Sequence, residues 1–192
     1  MKLAKIKALC LEAGKFEIIN AGRCQWIGNG NHWFRVFGAR LQIGELDRLL
    51  GVKAQKAAEC DWDAYDEDDA QWDDTFKDSE AQALPVADVW GYDQRLLALE
   101  AAGRMLYVRY DALDCMDPEA RRTYTIRRVN GTAHVMCYTG MIADAILAPI
   151  ADDDAQRLSG ALCRVAEIPV YSNKDALYGA GGGGEPPQSG CA

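Results

Sequence analysis

The chain predicts an α+β fold made of two helix–three-strand–helix units with antiparallel hairpins, one module used twice. Three observations carry this. The stretch Gln25 to Leu50, QWIGNGNHWFRVFGARLQIGELDRLL, reads as a strand, an Asn29-Gly30 turn, a second strand and a short helix. A diluted version returns at Thr123 to Ile150, TYTIRRVNGTAHVMCYTGMIADAILAPI, with Asn130-Gly131 at its turn. Asn-Gly favours positive φ at both central positions of a tight hairpin, which makes it a strong short-range hairpin signal. Finally, LEAGKFEII at 11–19 and EAAGRMLYV at 100–108 both read as a helix ending on glycine and running into a strand.

Taken in order, Leu3, Ile6, Leu9, Cys10 and Ala13 recur at helical spacing over 2–13, and Gly14 follows where a helix C-terminus prefers glycine. Lys15 to Asn20 is a strand. In the first hairpin Phe34 and Val36 share one face, and Trp33, Arg35 and Phe37 the other. Ile43, Leu46, Leu49 and Leu50 line a short helix ending near Gly51. Gln94 to Ala102 reads as a helix, Arg104 to Tyr110 as a strand, Met141 to Leu147 as a helix stopped by Pro149, and Leu162 to Tyr171 as a last strand. The units fall at 1–51 and 85–172. Between them, 52–84 reads as an acidic-aromatic insertion or linker, and the Gly-rich tail 173–192 reads as disordered.

The 192 residues are 49% hydrophobic, enough for a sizeable core, and no apolar run approaches the ~20 residues that span a bilayer. Lys2, Lys5 and Lys7 are spread through an amphipathic N-terminus, which is not a secretory layout, and the seven cysteines form no CxxC pair. Both point to a cytoplasmic protein with reduced thiols. The net charge of −8 is concentrated: Glu59 to Glu80 holds eleven acidic residues and one lysine, a local −10. The remainder is close to neutral.

Catalytic motifs are missing. There is no GxxxxGK[ST] and no GxSxG, and the tail glycines lack a strand-to-helix context. His32 and His134 each follow an Asn-Gly turn, but no HxH, HExxH or Cys-His spacing accompanies them. An EF-hand loop starting at Asp61 would need glycine at its sixth position and glutamate at its twelfth, where Asp66 and Trp72 stand. The reading is therefore of a protein with no catalytic residue, metal or cofactor. Its candidate partner-binding residues are Asp61, Trp62, Asp63, Tyr65, Asp66, Glu67, Asp68, Asp69, Trp72, Asp73 and Asp74. Carboxylates there mimic the charge of a nucleic-acid backbone, and the rings act as desolvated anchors. The segment is expected to lie outside the core. Secondary candidates are His32, His134 and the basic cluster Arg121, Arg122, Arg127 and Arg128, which could contact phosphates or neutralise the acidic segment.

The stretches QWIGNGNHWFRV and YTGMIADAILAPI resemble small proteins carried by prophages and mobile elements of Firmicutes. The resemblance implies a phage or mobile-element setting, host cytoplasm, and inhibition of a basic nucleic-acid-handling host partner, as anti-CRISPR and anti-restriction proteins do. Repeated helix-plus-three-strand units also look like pieces of a DNA sliding clamp, which implies a replication or recombination accessory protein that binds DNA directly. A third expectation is a metal-dependent nucleic-acid enzyme using Asp61 to Asp69. A homodimer is compatible with each.

Overall fold

The computed structural model describes residues 1–38, 40–67, 69–91, 94–150 and 165–167, with only the backbone of Asp69 and of 165–167. Helix α1 (Leu3–Ala13) closes on Gly14, whose left-handed φ of 66° lets its N–H reach the carbonyls of Cys10 and Leu11. The chain then runs through β1 (Lys15–Ala21), β2 (Cys24–Gly28), β3 (His32–Arg35), α2 (Ile43–Leu50) and α3 (Ala54–Ala57). Next come β4 (Asp61–Asp66), α4 (Asp69–Trp72), β5 (Ala81–Gly91), β6 (Gln94–Ala101), β7 (Arg104–Arg109) and α5 (Tyr110–Leu113). It finishes with β8 (Arg122–Val129), β9 (Thr132–Thr139), β10 (Ile142–Leu147) and β11 (Val165–Glu167).

The strands form one mixed sheet in the order β4-β1-β2-β3-β10-β9-β8-β5-β6-β7, with β11 added antiparallel along β5. Every pairing is antiparallel except β1 with β4. This corrects the expectation of two helix–three-strand–helix units. Both Asn-Gly hairpins form, as β2-β3 and β8-β9, but β10 pairs with β3 on one side and β9 on the other. The hairpins are thus neighbours in a single sheet. The halves are also not equivalent, because the first hairpin leads into helix α2 and the second into strand β10. Among the described residues no duplicated unit appears, which removes the basis for likening the chain to a sliding clamp.

Two stretches read as helices are strands. In β6, Leu96 to Leu99 are buried consecutively, with Leu97 and Leu99 in one hydrophobic cluster and Leu96 and Ala98 in another. A strand covered on both faces shows no alternation, so its leucines and alanines, good helix formers, give a helical signal that pairing overrides. Likewise β10 sends Ala145 and Leu147 to one cluster and Ala143 and Ile146 to the other, across a bulge between Ala143 and Ala145. The matching EAAG motif is a β6-β7 turn, with Ala102 at φ 49° and Gly103 at φ 75°. The expected last strand, 162–171, is described only over β11, and the tail 173–192 lies outside the described residues.

One face of the sheet packs on α1, α2 and α5. Ile6 and Leu9 meet Phe16, Ile27, Phe34 and Val135, and Leu46 and Leu113 join the same cluster. The opposite face carries Ile19, Trp26, Trp33, Met136, Tyr138 and Ile146. It is covered by Trp72 and Phe76 of the acidic segment. The segment therefore does not lie outside the core: β4 is a strand of the sheet, Trp62 stacks on Phe16 with ring centroids 4.1 Å apart, and Trp72 is 1% exposed. High charge density did not keep it off the body, because Trp62 and Trp72 bury against the sheet and the inward carboxylates Asp74 and Glu80 pair with Arg35 and Arg127.

Removing the Trp72 ring leaves a cavity over the second face, and large-to-small aromatic changes of this kind cost ~3–5 kcal/mol. Trp72→Ala is expected to lower the thermal midpoint by about 10 °C, at ~2–4 °C per kcal/mol for a chain of this size. A midpoint within 2 °C of the parent would show that the segment is not part of the packed body.

Candidate functional site

Carboxylates alternate along the edge strand. In β4 and the residue after it, Asp61, Asp63, Tyr65 and Glu67 share one side and Trp62 takes the other. The parallel register sets Asp63 beside Glu17 of β1. Two neighbouring carboxylates repel each other, and Lys15 lies between them, 2.5 Å from Glu17 Oε1 and 3.7 Å from Asp63. Its bond to Glu17 raises the Lys15 pKa, so the ammonium is held firmly charged. The other oxygen of Glu17, a residue 5% exposed, accepts the Trp33 indole N–H at 2.9 Å.

These groups edge a cleft of about 470 Å³ lined by Glu17, Trp33, Tyr65, Glu67, Trp72 and His134, with Asn31 and Asn130 of the two hairpin turns at its rim. The turns differ in mechanism. Asn130 and Gly131 both take positive φ. In the first turn only Gly30 does, and the Asn29 side chain instead accepts the N–H groups of Asn31 and His32. Gly28 is required for close approach: a Cβ there would sit 2.1 Å from the His32 carbonyl oxygen and 2.5 Å from the Trp33 ring. Trp33 thus lies against bare backbone and meets Trp72 edge to face, centroids 5.0 Å apart.

The roof of the cleft is fastened by buried ions. The Arg127 guanidinium pairs with Glu80 and donates to the carbonyls of Asp73 and Thr75 and to the Tyr138 hydroxyl. Asp74, 3% exposed, pairs with Arg35 at 2.5 Å. The Trp26 indole donates to the Trp72 carbonyl at 2.9 Å.

The candidates from sequence are therefore dispersed. Asp61 and Asp66 are exposed on β4, and Asp66 accepts from the Asn20 amide. Asp63 is taken by Lys15, Asp73 accepts from Thr75, and Asp74 is buried with Arg35. Trp62 and Trp72 belong to the core, leaving Tyr65, 40% exposed, as the accessible ring of that set. Asp68 and the side chain of Asp69 lie outside the described residues. Among the arginines, Arg127 pairs with Glu80. Arg122 donates to the Asp117 carbonyl, Arg128 donates to the Gly131 carbonyl, and Arg121 is exposed. Sequence reasoning missed Glu17 and Trp33. The available signal was Glu17 itself, a charged residue in the apolar strand KFEIIN on the side of Ile19.

Both histidines are 6% exposed, not solvent-facing sheet residues. Burial lowers the His134 pKa, and its Nδ1 lies 3.0 Å from the Thr132 carbonyl, so the proton sits on Nδ1 and Nε2 keeps its lone pair. Burial also drives His32 down to about 4, and its Nδ1 has no partner among the described residues. Cys24, Asp73 and Asp74 bring ligand atoms within 4.8 Å of one another. Arg35 and Arg23 already neutralise Asp74, and burial followed by a bond to Asp74 raises the Cys24 thiol. A protonated thiol and an arginine-paired carboxylate are poor cation ligands, so the donor set does not fit a metal. No helix among the described residues is long and apolar enough to cross a membrane. No protein-family model, curated protein or solved structure matches this chain.

The buried His32 sets a pH dependence. Its folded pKa of about 4 lies below the unfolded value near 6.5, so the neutral ring contributes stability that is complete above pH ~6.5 and is lost as pH falls through 4. The loss is about 3 kcal/mol at most. Urea midpoints measured from pH 7 to pH 4 are expected to fall more steeply for the parent than for His32→Gln. Equal slopes would assign the acid sensitivity to other groups.

Proposed function

We propose that this chain is a non-catalytic binding protein that captures a basic, nucleic-acid-handling partner along β4 and the cleft beside it. The observation that carries this is the terminal strand. β4 pairs only with β1 among the described residues, and its accessible side presents Asp61, Tyr65 and Glu67 with Asp66 at its end. Such an edge offers main-chain donors and acceptors to an incoming strand, while its carboxylates repel acidic segments and other copies of itself. A cationic extended segment meets neither obstacle.

Charge supports the same direction. Of the acidic residues from Glu59 to Glu80, Asp74 and Glu80 are spent on arginines inside the fold, but Asp61, Asp66, Glu67 and Asp78 have no ion pair among the described residues. In the mobile-element setting that the resemblance implies, the partner class is a host nuclease of the CRISPR or restriction type, met in the host cytoplasm. The aromatic anchors are fewer than the sequence suggested, since Trp62 and Trp72 hold the fold together. Attraction therefore rests on carboxylates, with Tyr65 and the cleft supplying apolar contact.

The test is capture of basic nucleic-acid-binding proteins from host lysate, with and without nuclease treatment, followed by kinetics on the captured protein. Replacing Asp61, Asp63 and Asp66 together by Asn is expected to lower the association rate about tenfold at low salt and to flatten its salt dependence. Unchanged rates would remove β4 from the interface, and capture abolished by nuclease would show that nucleic acid, not protein, is the partner.

A further inference from the structure

We infer that the cleft between β1, β4 and the two hairpin turns is a guanidinium site, which takes an arginine side chain of the basic partner. The inference deepens the reading of β4 as a docking edge and rests on it for the source of the arginine.

Charge comes first. Glu17 and Glu67 line the cleft, and beside it Lys15 bridges Glu17 to Asp63. Glu17 has both oxygens occupied and Asp63 shares Lys15. Glu67 is half-buried, its backbone N–H is bonded to Asn20, and its carboxylate has no ion pair or hydrogen bond among the described residues. An unpaired carboxylate at the cleft is open to a cation that enters, which displaces no existing partner there. An anionic ligand would face Glu17 and Glu67, both in the cleft lining.

Shape and acceptors narrow the cation. The walls are the rings of Trp33, Trp72 and Tyr65. A flat, weakly hydrated guanidinium stacks on such surfaces better than a compact, strongly hydrated ammonium. Its five N–H donors need acceptors in several directions. The cleft offers the Glu67 carboxylate, the Asn31 and Asn130 amides, and His134, whose Nε2 lone pair is free because Nδ1 faces the Thr132 carbonyl. One donor also remains unspent. The indole N–H of Trp72, whose ring lines the cleft, is buried without an acceptor among the described residues, a costly state that a small turn of the ring toward a carbonyl of the arginine's own backbone would end. The pattern is an excess of acceptors and negative charge, flat walls and a single unmet donor. It fits an arginine within a peptide better than a free ion.

The test is titration of the full chain, followed by tryptophan fluorescence and calorimetry. Three probes are used: an acetylated hexapeptide with one central arginine, the same peptide with citrulline in its place, and L-arginine amide. Inorganic phosphate serves as the anionic control. The arginine peptide is expected to bind at least tenfold more tightly than the citrulline peptide, with arginine amide weaker than the peptide but measurable. Glu67→Gln is expected to weaken arginine-peptide binding about tenfold with near-ultraviolet circular dichroism and urea midpoint unchanged. Glu119→Gln, an exposed carboxylate outside the cleft lining, should leave it unaltered. Equal binding of the citrulline and arginine peptides, a Glu67→Gln chain that binds like the parent, or saturation by phosphate would each overturn the inference. The two readings fail separately. If arginine probes bind but basic proteins are not captured, the docking edge falls and the guanidinium site stands. If Glu67→Gln captures basic proteins as well as the parent does, the site falls and the edge stands.

Discussion

A guanidinium buried in a protein interior is tolerable only when its donors are satisfied and its charge is answered, and Arg127 meets both conditions in a way that shapes the rest of the molecule. It sits on β8, 6% exposed, and its hydrogen bonds except that to Tyr138 go to the acidic segment: the Glu80 carboxylate and the carbonyls of Gln71, Asp73 and Thr75. Removing one partner of such a pair would strand the other in low dielectric, a loss of several kcal/mol. The pair therefore does little to drive collapse but selects one path for the segment across the sheet. Arg35 with Asp74 and the Trp26 indole with the Trp72 carbonyl pin the same path from β3 and β2.

That path resolves a problem set by the sheet. Its strands bury side chains on both faces, and α1, α2 and α5 cover only one. An uncovered face carrying Trp26, Trp33, Met136 and Ile146 would be a large exposed apolar patch. The acidic segment supplies the cover with Trp72 and Phe76, while Asp61 and Asp66 of β4 and Asp78 stay exposed. Exposed charge and packed rings thus come from the same stretch. The cleft is a by-product of the same arrangement, since it opens where the Trp72 cover meets the end of β4 and the two hairpin turns.

The cleft and the edge strand are continuous, which is why a chain without a catalytic motif still has a coherent surface to offer. Tyr65 and Glu67 belong to both. His134, which the sequence marked by its place after an Asn-Gly turn, is a cleft residue held neutral by burial. His32, marked in the same way, is a buried strand residue and not a cleft wall. Equivalent positions in sequence did not give equivalent environments.

By itself the sequence determined the local chemistry: helix α1 and its glycine stop, β1, both Asn-Gly hairpins, helix α2, and the concentration of charge between Glu59 and Glu80. Each of these depends on spacing within a dozen residues, where backbone preference and side-chain alternation act directly. Only the tertiary structure decided that Gln94 to Ala101 and Ile142 to Leu147 are strands, because a segment buried on both faces carries no period that separates strand from helix. It alone decided that the hairpins share one sheet, since the pairing of β10 with β3 joins residues more than a hundred positions apart. It also decided which acidic residues face solvent. Arg127, Arg35 and Lys15 reach Glu80, Asp74 and Asp63 across the sheet, and long-range ion pairing leaves no mark in the local sequence.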